Sequence, residues 1–70
     1  MRTRTKPHLY DVVRLTRDVP EQGLIAGSVG TIVTMFDQPE VAYEIEFCDH
    51  EGRTIAELAL KGDAFQVIGV

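Results

Sequence analysis

Apolar and polar residues alternate with a period of two through residues 41–47. Tyr43, Ile45 and Phe47 fall on one side and Glu44 and Glu46 on the other. That is the pattern of a strand with one face in a core and the other in water. Four more strands follow from similar readings. Residues 9–15 put Asp11, Val13 and Leu15 on one face of an extended segment and Tyr10, Val12 and Arg14 on the other. The β-branched run over 28–36 forms a second strand, 54–60 a fourth and 65–68 a fifth. In the fourth, either Ile55 turns inward or the alternate set with Leu58 and Leu60 does. Between the first two strands, Pro20 removes a backbone donor and Gly23 supplies a left-handed turn residue, so a long loop is expected. Its apolar members Val19, Leu24 and Ile25 are predicted to fold back as a lid over the barrel end. Asp37-Gln38-Pro39-Glu40 ends the second strand and Asp49-His50-Glu51-Gly52 makes a hairpin turn. Residues 61–64 have room for a single 3₁₀ turn.

The segment Gly27-Ser28-Val29-Gly30-Thr31-Ile32-Val33 sends two glycines into a β-branched run that no helix would favour. Gly27 suits a tight turn, and Gly30 a bulge or a crowded strand crossing. With Gly23 and Gly52 they make four structural turn positions. The fold class expected is all-β, a small five-stranded SH3-like barrel over 9–70 with a 3₁₀ turn before the last strand. A basic head, 1–8, precedes it. An OB-like barrel usually needs a helix between its third and fourth strands, and the hairpin at 49–52 leaves no space for one.

The stretches Leu9-Tyr10-Asp11-Val12-Val13, Gly23-Leu24, the Gly27 to Val33 run, Tyr43-Glu44-Ile45-Glu46-Phe47 and residues 58–61 together resemble a bacterial family. It is number forty-nine twenty-six of the domains of unknown function, and the resemblance covers about residues 9–68. It implies a small SH3-like barrel found as a stand-alone bacterial protein, without naming an activity. More distantly, Gly-x-x-Gly-Thr-Ile-Val is similar to KOW segments and to the barrel of nitrile hydratase beta subunits. The KOW likeness implies RNA binding through lysine or arginine around the glycine turn, whereas this chain has Leu24, Ile25, Ala26 and Ser28 there. The nitrile hydratase likeness implies an accessory-subunit role.

A chain of 70 residues gives one domain. A domain of this size buries only about 60% of the surface its unfolded form exposes, so oligomerisation is a natural remedy for a thin stability margin. A single cysteine, Cys48, leaves no intramolecular disulfide framework and points to a reducing, cytoplasmic setting. No apolar stretch has the length of a signal peptide or a membrane span, so no membrane association is expected. The charge is uneven. Residues 1–17 hold Arg2, Arg4, Lys6, Arg14 and Arg17 against Asp11, a formal +4, leaving −8 for the rest of a chain whose total is −4. An acidic body disfavours nucleic acid, because phosphate contacts need a basic surface.

Chemistry-bearing clusters are few. Cys48-Asp49-His50-Glu51 contains metal-ligand residue types, but a structural zinc site needs four donors, and a chain with one cysteine and two histidines would have to pool half-sites across an oligomer. Read as nucleophile and base, the same residues sit on a hairpin tip without a third group to hold them. Ser28 is the single serine and has no histidine beside it. Glu44 and Glu46 look outward, where water keeps both ionised. No enzyme activity, metal or cofactor is expected. What is left is binding. Glu44, Glu46, Asp49, Glu51 and the neighbouring Glu57 form an acidic sheet face suited to a basic protein, and Val19, Leu24 and Ile25 form a second contact. Tyr10 and Phe36 join those loop residues around the groove where SH3-like barrels dock extended peptides. With no tryptophan and five aromatic residues, the chain suits an aliphatic contact better than a proline-rich one. The reading is a non-enzymatic interaction module for a protein partner encoded nearby, of antitoxin, immunity or accessory-subunit type. The alternative is a KOW-like nucleic-acid module using the head, Arg14 and Arg17.

Overall fold

The computed structural model of the chain describes residues 6–69. Residues 1–5, with Arg2 and Arg4 of the basic head, and residue 70 lie outside them. The strands are β1 (Val12–Leu15), β2 (Val29–Phe36), β3 (Ala42–Cys48), β4 (Thr54–Leu60) and β5 (Phe65–Gly69). They form one antiparallel sheet in the order β4-β3-β2-β1-β5. Single 3₁₀ turns cover Pro20–Gln22 and Gly62–Ala64. The β1–β5 pairing, the long first loop and the 3₁₀ turn before β5 make this the expected all-β SH3-like barrel. No helix among the described residues is long and apolar enough to cross a membrane.

Alternation decides what is buried. Val13, Leu15, Ile32, Ile45 and Phe47 are almost wholly enclosed, and Tyr43 meets Phe65 edge to face with centroids 5.5 Å apart. Asp11, just before β1, and Val13 and Leu15 within it are buried together, on the common face that the pattern gives them. The open question in β4 resolves in favour of Ala56, Leu58 and Leu60, which pack against the core, while Ile55 turns outward. In β2 the pleat changes phase. Gly30 and Ile32 pair with Phe47 and Ile45 on the inner side, the register shifts between Ile32 and Thr34, and Met35 then pairs with Tyr43. Val33 is the extra residue of this bulge.

Both glycines of the 27–33 run have a physical reason. Gly27 has φ +94° in the turn that leads into β2, and its N–H donates to the carbonyl of Leu15. Gly30 lies so close to β3 that a Cβ there would fall 2.8 Å from the carbonyl oxygen of Glu46 and 2.9 Å from the Phe47 ring. It is a crowded crossing. Gly23 and Gly52 take left-handed conformations in their turns.

The loop after β1 does fold back. Val19 and Leu24 exchange backbone hydrogen bonds of 2.9 and 3.1 Å across the 3₁₀ turn, and both side chains are buried. At the other end of β1, a turn over 8–11 closes with the Asp11 N–H donating to the carbonyl of His8. The His8 N–H in return donates to Asp11 Oδ2 at 2.8 Å. That turn forces Tyr10 to φ +71°, a left-handed backbone unusual for an aromatic residue.

Candidate functional site

The outer face of β3 and β4 brings the most chemistry together. Strand alternation sends Glu44 and Glu46 out of β3 and Glu57 out of β4, because their neighbours Tyr43, Ile45, Phe47, Leu58 and Ala56 fill the inner side. Register then sets the spacing: Glu46 stands directly opposite Glu57, and Glu44 opposite Ala59, diagonal to Glu57. Partial burial of Glu44, a side-chain hydrogen bond with Glu57 and the repulsion of its charge together hold the Glu44 carboxyl above its ordinary 4.5. Residue order alone carries no sign of this upward shift at Glu44, which needs the register that brings Glu57 beside it. Glu46 accepts a hydrogen bond from the Thr54 hydroxyl. No cation among the described residues pairs with Glu44, Glu46 or Glu57.

Asp49 and Glu51, predicted to extend this acidic face, are committed elsewhere. Asp49 Oδ1 accepts the N–H groups of Glu51 (2.9 Å) and Arg53 (3.0 Å), and Arg53 Nε donates to Oδ2 at 3.2 Å. These donors, the Arg53 N–H foremost, hold the Asp49 carboxyl below its ordinary 3.8. Arg53 also pairs with Glu51 at 2.9 Å. At the hairpin tip one arginine thus serves two carboxylates, leaving a formal −1, whereas the strand carboxylates have no cation against them among the described residues. Cys48 is exposed, and the described residues contain no group of three or more His, Cys, Asp or Glu side chains that could hold a metal ion.

Of the loop residues, Ile25 is 68% exposed while Val19 and Leu24 belong to the core. Phe36 lines a cleft of about 360 Å³ with Met35, Asp37, Val41, Tyr43, Pro7 and Lys6. Tyr10 is exposed but does not line it. The loop residues Val19, Leu24 and Ile25, expected around the same groove as Phe36, do not line it; Met35 and Val41, not foreseen, do, and the β2 bulge is what turns Met35 to this side. Arg14 donates to the Gln66 side chain at 3.3 Å, and Arg17 lies 3.5 Å from Asp63. A carboxylate beside Arg17 weakens the field it would offer a phosphate.

No curated protein and no solved structure matches the chain. A family model described as a domain of unknown function matches residues 9–67, from the turn before β1 into β5. With that span covering every strand of the barrel but the last residues of β5, the chain belongs to the DUF4926 family.

Proposed function

We propose that this domain is a non-enzymatic interaction module that binds a basic protein partner across the outer face of β3 and β4. One observation carries the reading: Glu44, Glu46 and Glu57 crowd one sheet face with no cation among the described residues against them, at some expense in stability. A basic partner would relieve that repulsion and gain both steering and specificity from it. Exposed Ile25 supplies an apolar contact from the loop after β1. The free, exposed thiol of Cys48 suits a reducing bacterial cytoplasm. A partner encoded by a neighbouring gene, of antitoxin, immunity or accessory-subunit type, fits a small barrel of this kind.

The test is recovery of partners from native cells with the tagged full chain, beside a variant carrying Glu44→Lys, Glu46→Lys and Glu57→Lys. A protein recovered by the first and lost by the second, with the thermal transition retained, is the expected result. Recovery that ignores the charge reversal would defeat the reading. So would tight RNA binding whose salt dependence flattens in Arg14→Ala or Arg17→Ala.

A further inference from the structure

We infer that the outer edge of β4 accepts an added β-strand from the partner, one that alternates basic and apolar residues. This rests on the proposed acidic-face function and specifies how that face is engaged. β4 ends the sheet: six of its seven residues pair with β3 on one side, and no strand among the described residues pairs with the other. Backbone N–H and C=O groups along such an edge are a template for another chain. Natural edges of this length are usually shortened, bulged or covered. Here a single register shift at Ile55 marks the start of β4, and the five residues from Ala56 to Leu60 pair with β3 without a break.

The side chains say what would fit. On the inner side Ala56, Leu58 and Leu60 are only partly covered, so apolar residues of an added strand would complete their burial. On the outer side Glu46 and Glu57 lie in one row across the sheet. The next strand would set a side chain directly opposite Glu57, with Cβ atoms about 4.5–5.5 Å apart, where lysine or arginine is favoured. A second copy of this chain fits poorly, since symmetric pairing about Glu57 would oppose two carboxylates already crowded by Glu46. β5, the other edge, has five residues and outward-facing Gln66 and Ile68, with no charge to select a partner.

The probe is a short blocked peptide alternating lysine and valine, compared with a version of the same sequence methylated on every backbone nitrogen. Titration against the full chain, with amide exchange followed residue by residue, reads both affinity and place. The unmethylated peptide is expected to bind, to slow exchange along β4 rather than β5, and to exceed the methylated one by at least about tenfold. Glu57→Lys, at an exposed position whose fold is checked by its thermal transition, should weaken it by a similar factor. Equal binding of both peptides overturns strand addition while leaving the acidic-face reading intact. Absence of binding, or protection confined to β5, also overturns it, and the partner-recovery experiment then judges the face by itself. Concentration-dependent protection of β4 in the chain alone would make a second copy the occupant and overturn the basic-strand assignment.

Discussion

Gly30 has no room for a side chain, and the obstacle is partly backbone. A Cβ would press on the Glu46 carbonyl as well as on Ile45 and Phe47. Gly30→Ala is therefore expected to destabilise the barrel by about 1–3 kcal/mol in denaturant unfolding, the usual penalty for overpacking. Glu44 works in the opposite sense. Its carboxyl is raised from 4.5 by burial and by Glu57, so its contribution is fully present below about pH 4.5 and is lost as pH rises through the folded value. Glu44→Gln should stabilise the protein at pH 7 by up to about 1 kcal/mol, because water screens a pair on an open face. It should also flatten the decline in stability above pH 4.5. Asp49 carries the reverse sign: its lowered carboxyl adds stability above 3.8 that is lost as pH falls through the folded value. Asp49→Ala should reduce stability at neutral pH and weaken its acid dependence, visible in melting curves across that range.

At the scale of elements, the loop after β1 separates packing from display. Leu24→Ala should cost about 2–5 kcal/mol as a cavity in the core, while Ile25→Ala should leave the melting temperature nearly unchanged. Thermal melts of the two variants give the comparison. The same loop shows how far residue patterns reach. β3 could be read directly, because large apolar residues and glutamates alternate there without exception. The side chains of β1 and the turn glycines were equally legible. β4 was ambiguous because Ile55, Ala56, Leu58, Ala59 and Leu60 place apolar groups on both faces, so only pairing with β3 selects the inner set. The Glu44–Glu57 coupling was hidden for the same reason: it exists through register between strands. Asp49 read as part of an acidic face because composition does not reveal an oxygen already bound to two backbone N–H groups.

At the scale of the molecule, the last strand completes the sheet at its first. Leu15 pairs with Phe65, and Phe65 in turn braces Tyr43. A chain ending before Phe65 should lose its cooperative unfolding transition, seen as a sloping melt without a midpoint, since β1 would become an edge and the core would open. The bulge at Val33 has an equally global effect, because it acts as a frameshift in the pleat. Every residue downstream of it in β2 is displayed on the face opposite to the one simple alternation assigns. A relative lacking Val33 would pair without the bulge and still set Thr34 opposite Glu44 and Met35 opposite Tyr43. If the full-length strand paired without the bulge instead, Met35 would turn to the acidic side and the cleft would be lost with all five strands kept, so whether residue 33 is bulged out decides the cleft.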